Sequence, residues 1–141
     1  MRFVCDAPGG KTWFRIETEA EADAESELMR HAVAKFFRRE RERALAAWSP
    51  PASAPAVERD IGLKDFIARS MPIFLTLRDH EGAGLATAML APENSPQGRA
   101  FRTIIVGPAN SDPLAAHGEA IRALAHCIGA GLAREECYPY P

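Results

Sequence analysis

Apolar residues recur at spacings of three and four through residues 19–48, at Leu28, Ala32 and Phe36 and again at Met29, Val33 and Phe37. That period predicts one long helix with these side chains on its packed face. No proline or glycine interrupts the run, and Ala, Glu, Arg and Leu, which lose little side-chain entropy in a helix, dominate it. Thr18 followed by Glu21 has the form of a capping box, and Ser49-Pro50-Pro51 stops the helix. The acids come first (Glu19, Glu21, Asp23, Glu25, Glu27) and the bases later (Arg30, Lys35, Arg38, Arg39, Arg41, Arg43), an order that suits the helix dipole.

Elsewhere the period is two. Residues 2–5 and 11–18 read as strands joined through Pro8-Gly9-Gly10, where proline presets one dihedral and glycine accepts positive φ. In the second, Trp13, Arg15 and Glu17 alternate with Phe14 and Ile16. After a Pro/Ala/Ser-rich connector at 49–57, a short helix over about 60–70 turns Ile61, Phe66 and Ile67 inward. Residues 73–78 and 85–90 form a hairpin about Asp79-His80-Glu81-Gly82. Its second strand alternates Leu85 and Met89 with Ala86 and Ala88, which predicts a helix packed closely on the alanine side. A loop over 92–99 precedes a fifth strand at 102–106. The chain then turns at 107–110 into a last helix, with Ser111 or Asp112 as cap and Pro113 in the first turn. Its stripe is Leu114, His117, Ile121, Leu124 and Ile128, and the proline-rich tail 137–141 does not prolong it. The order ββα(α)βββα predicts a single α+β domain over residues 1–141, with a mainly antiparallel five-stranded sheet and two main helices on one face.

Composition changes the picture mainly by exclusion. A chain of 141 residues is long enough for a core without disulfide staples. A formal charge of −2 gives no general attraction to nucleic acid or to an anionic membrane surface. No apolar run approaches the roughly 18 residues of a membrane span, and the start of the chain lacks the pattern of a signal peptide, so the cytoplasm is the expected compartment. Cys5, Cys127 and Cys137 are scattered and make no disulfide framework.

Several positions have chemistry to weigh against a plain structural reading. Residues 107–112 lead from a strand into a helix, where N–H groups can hold an anion, but Asp112 repels one and Pro113 removes a donor, so a helix cap is expected. His117 lies on the apolar stripe of the last helix. It is the candidate acid/base if a pocket opens against the central hairpin, with Asn110, Ser111 and Thr87 as ligand-binding help. His80 reads as a solvated turn residue and His31 as partly exposed. His126, Cys127 and Cys137 have no metal-ligand spacing, so neither metal nor cofactor is expected. The basic cluster at 38–43 reads as a solvated helix face, with Arg38 and Glu42 able to pair, rather than as a nucleic-acid site.

A thirty-residue helix would be about 45 Å long, more than a core of this size is wide. Its far end, with Phe37, Leu45 and Trp48, is therefore expected to meet a partner, most simply a second copy about a two-fold axis. The sequence thus reads as a homodimeric binding protein without catalytic activity, open to an unidentified protein partner. The competing reading is a small enzyme or ligand-binding domain built around His117.

Overall fold

In the computed structural model, which describes residues 1–49, 55–93, 101–129, 131–132 and 137–138, five strands form an antiparallel meander in sequence order. They are β1 (Arg2–Ala7), β2 (Lys11–Arg15), β3 (Ile73–Arg78), β4 (Gly84–Leu90) and β5 (Thr103–Val106); β6 (Cys137–Tyr138) adds two residues parallel to β5. Phe14 lies opposite Thr76, Leu75 opposite Ala88, and Ala88 opposite Ile105, so the pleat is shared across the centre of the sheet. The helices are α1 (Glu19–Met29), α2 (Val33–Ala47), α3 (Ala56–Ser70) and α4 (Leu114–Ile128). The α+β class, the element order and the antiparallel sheet are those the sequence predicts.

The long helix is two helices. Arg30 leaves the α1 geometry in the left-handed region (φ 55°, ψ 51°), and its N–H bonds to the Ser26 carbonyl. Ala32, which opens α2, supplies no capping side chain; instead the Ser26 hydroxyl reaches across from α1 and accepts the Ala34 N–H at 2.8 Å. The chain therefore reverses without proline or glycine. Asp23 then pairs with Arg38, and Glu19 meets Arg41 at 3.6 Å. The order of acids then bases is a pairing between antiparallel helices, and Arg38 takes its partner from α1 rather than from Glu42. At 1.5 Å per residue α1 and α2 are about 16 and 22 Å long, and nothing 45 Å long projects from the sheet.

Helices cover both faces of the sheet, where the sequence predicts the two main helices on one. One face packs Ile16, Phe74, Met89, Ile104 and Val106 under Val33, Phe36 and Phe37 of α2, with Ile67 of α3 against them. The other packs Trp13, Leu75, Leu77, Ala86, Ala88 and Ile105 under Ala120, Ile121 and Leu124 of α4. The reason lies in β3 and β4, which are buried along nearly their whole length on alternating sides. Strands apolar on both faces must be covered twice. The expected close helix on the alanine side of β4 is α4.

Local differences follow from the same packing. β2 ends at Arg15, because Thr18 and Glu21 form the capping box of α1. α3 begins at Ala56, and Ile61 points to solvent at 63% exposure while Phe66 stacks on Trp48 at 5.2 Å. Leu28 is half exposed rather than packed. Asp112 accepts the Leu114 N–H at 2.9 Å at the start of α4. Gly84 allows α1 to approach β4: a Cβ there would lie 2.6 Å from Met29 Sδ. Most of the expected connector (50–54), loop residues 94–99 and the end of the tail (139–141) lie outside the described residues.

Candidate functional site

Among the described residues the most buried carboxylate is Glu25, which has no exposed surface and sits between α1 and the β3–β4 hairpin. Its Oε1 accepts from the hydroxyls of Thr76 (2.9 Å) and Thr87 (3.1 Å), and its Oε2 accepts from Arg78 Nη2 at 2.9 Å. Arg78 also donates through Nε to Thr76 Oγ1 and through Nη1 to the Gly82 carbonyl. His31 Nε2 lies 2.8 Å from Thr87 Oγ1. Since that hydroxyl donates to Glu25, the proton of this contact belongs to His31 Nε2, which leaves Nδ1 to accept the Val33 N–H. Both imidazole nitrogens are thus used in the neutral form. Thr87, expected as a ligand-binding residue, is fully buried in this network, on the face away from α4.

The network ties stability to pH. Burial lowers the His31 pKa, outweighing the upward pull of its own backbone contact and of Glu25. Below the unfolded value of about 6.5 the unfolded chain takes up the proton first, so acidification favours unfolding. Denaturant midpoints should fall as pH drops through this window and level off once the folded imidazole also titrates. His117 contributes with the same sign, because its pKa is lowered too. His31→Gln should therefore reduce the pH slope, not abolish it, and an unchanged slope in that variant would refute the assignment.

His117 does not open toward the central hairpin. It lies at the β1–β2 end of the molecule, where its Nδ1 is 3.2 Å from Lys11 Nζ. Burial, then the Lys11 charge, holds its pKa below the ordinary value. An amine donating to a neutral imidazole differs from the carboxylate or hydroxyl partner that an acid/base histidine would use. Around the pair runs an open groove of about 380 Å³, bordered by Pro8, residues 114–120 and Arg122. Asn110 and Ser111 are exposed, in and just after the 3₁₀ turn Pro108–Asn110, which contacts α1 and β4. Neither they nor Thr87 line the His117 groove.

A second opening lies between α2, α3 and β2. This cleft of about 350 Å³ has an apolar floor of Ile16, Phe37, Ile67, Met71 and Pro72. Its polar lining comes from Arg15, Glu17, Arg41 and Lys64. Arg15 is buried and held in place, donating through Nη2 to the Ala68 carbonyl at 2.9 Å and through Nη1 to Glu93 at 3.3 Å. Arg41 shares Glu19, while Lys64 has no ion-pair partner among the described residues. The size falls in the range of about 300–1,000 Å³ for small-molecule sites, which combine apolar walls with a few fixed polar groups. Periodicity did not point here, because the residues come from three separate stretches. The available signal was Arg15, a charged residue on the same strand side as Trp13.

The expected interface residues are placed differently from one another. Phe37 is only 2% exposed and stacks on Phe74 in the core, so it is not open to a partner. Trp48 covers α3 against Phe66, with its ring beside Gly62. Leu45 is exposed at 38%. The break at Arg30 lets α2 fold back onto the sheet and consumes the aromatics that a straight helix would present. The basic stretch is largely engaged as well: Arg43 pairs with Glu40 at 3.1 Å, and Arg39 lies 4.4 Å over the Phe36 ring. Burial and the neighbouring Cys127 push the Cys5 thiol up to about 11, which keeps it protonated and unreactive. Among the described residues there is no group of three or more His, Cys, Asp or Glu side chains able to hold a metal ion, and no helix is long and apolar enough to cross a membrane. Comparison with protein-family models, curated proteins and solved structures finds no match to this chain.

Proposed function

We propose that the protein is a binding domain for a small organic anion with an apolar body, held in the cleft between α2, α3 and β2. The observation that carries this reading is the pairing of an apolar floor with Arg15, Arg41 and Lys64 against one lining acid, Glu17. An apolar group on Ile16, Phe37, Ile67 and Met71 would leave water, while its anionic end would meet Lys64, a cation whose charge is not already shared. Arg15 is fixed by Ala68 and Glu93, so part of the ordering cost is met before a ligand arrives. The sequence favours a homodimeric binding protein; a small-ligand cleft is nearer to its competing ligand-binding reading, with the place moved from His117 to the cleft between α2, α3 and β2.

Calorimetric titration with octanoate and with uncharged octanamide tests it. Octanoate should bind, and the amide should bind about tenfold or more weakly, the effect of one lost charge contact of roughly 1–2 kcal/mol near a surface. Lys64→Glu should remove most octanoate binding. Ala68→Trp, at an exposed lining position, should block both compounds with little change in thermal stability. Equal octanoate binding by the native protein and both variants would overturn the reading.

A further inference from the structure

We propose that Lys11, His117 and Arg122 form a separate site for a compact oxyanion of the phosphate type, on the sheet face opposite the cleft. Three observations converge on this groove. First, it is lined by Lys11 and Arg122 against a single acid, Glu119, and neither cation has an ion-pair partner among the described residues. Second, Lys11 Nζ lies 3.2 Å from a ring nitrogen of His117, so an ammonium and an imidazole are already held side by side. Third, much of the remaining lining is Ala115, Ala116, Gly118 and Ala120, with Pro8 and Leu114 as the larger apolar groups, so there is little bulk for an apolar body to pack on.

Gly118 has a specific part in this arrangement. A Cβ there would lie 3.5 Å from Arg122 Nη1, so the guanidinium folds back along α4 over the glycine. Ala115 and Ala116 lie in the short turn that opens α4, and the backbone leaves helical geometry at His117 (φ −128°, ψ 23°), which sets the imidazole at the kink. Asp112 is turned to the Leu114 N–H. The groups facing His117 across the groove are Lys11 from β2 and Glu119 and Arg122 from α4. With the imidazole neutral the lining carries a net positive charge, and a bound dianion reverses the influence of Lys11 on His117. The histidine then gains a proton as the anion binds, adding a third cation to the site. Anion uptake and protonation of His117 are therefore linked.

The test follows the His117 ring by NMR over a pH range. The native protein is titrated in sodium chloride, inorganic phosphate and glycerol 3-phosphate at matched ionic strength. Phosphate or its ester should raise the His117 midpoint by about one unit, the low end of what an opposite charge within reach produces. A larger rise with inorganic phosphate assigns the free ion, and a larger rise with the ester assigns a phosphoryl group carried on another molecule. Lys11→Gln, at a half-buried position, and Arg122→Gln, at an exposed one, should each cut the rise at least threefold while leaving the ring titratable. Lys64→Glu should leave it unchanged, so this site stands or falls independently of the cleft. Equal midpoints in all three salts, or a full rise in both Gln variants, would overturn the proposal.

Discussion

Glu25→Ala is expected to cost about 3–5 kcal/mol of folding stability, the range for removing one partner of a buried ion pair. The size follows from what stays behind. Arg78 would keep its contacts to Thr76 and Gly82 but lose its one carboxylate partner among the described residues, and both threonine hydroxyls would lose their acceptor. Arg78 is mostly covered, with 16% of its side chain exposed, so water replaces the carboxylate poorly. The pair need not be a large net gain over an apolar alternative, because burying two charges is itself costly. A double variant, Glu25→Met with Arg78→Leu, should therefore lose much less than Glu25→Ala. Urea unfolding of the three proteins at pH 7 measures this. A Glu25→Ala loss below about 1 kcal/mol, outside the range for a broken buried pair, would show that the network does not anchor α1 to the hairpin.

The same residue shows how far the sequence could be read. In the run of acids at 19–27 Glu25 looks like any other exposed helix carboxylate, and local pattern gives no cue that it alone turns inward. Its partners Thr76 and Thr87 stand 51 and 62 positions away and meet it only once β3 and β4 are paired. The capping box, by contrast, was fully legible, because Thr18 and Glu21 are three residues apart and their contacts are local. So were the hairpin and the order of elements, which rest on short-range periodicity. The break at Arg30 was not. It carries neither glycine nor proline, and the decisive contact runs from Ser26 to Ala34, over a turn the helical reading did not contain. One clue was present in the charges: acids followed by bases along thirty residues is also what an antiparallel helix pair needs. The cleft and the groove were hidden for the reason Glu25 was. Lys64 and Arg15, or Lys11 and Arg122, share no sequence window, and of this second group only His117 stood out.

Trp13→Ala is expected to cost about 3–5 kcal/mol, the usual range for emptying a buried aromatic site. That is a large part of the 5–15 kcal/mol that holds a typical domain folded. Trp13 is fully buried on β2, beneath α4 and against the Leu77, Ala86 and Ala120 layer. Its Nε1–H donates to the Ala120 carbonyl at 2.9 Å, so the ring both fills the second core and fixes the helix along it. Trp13→Phe should retain much of the packing but lose that bond and part of the volume, for a smaller loss of about 1–3 kcal/mol. Denaturant unfolding gives both values, and their difference tests the two-faced architecture directly. Were α4 on the same face as α1 and α2, this side of β2 would be open to solvent. Truncating the ring there would then cost under about 0.5 kcal/mol, as surface changes do. The consequence reaches the groove, since Ala120 lies three residues beyond His117 on α4 and Lys11 two residues before Trp13 on β2. The tryptophan thus holds in register the two elements that bring the amine to the imidazole. In Trp13→Phe the Lys11–His117 contact should loosen and the His117 pKa should move back toward its ordinary value, because the depressing charge of Lys11 is no longer held against the ring.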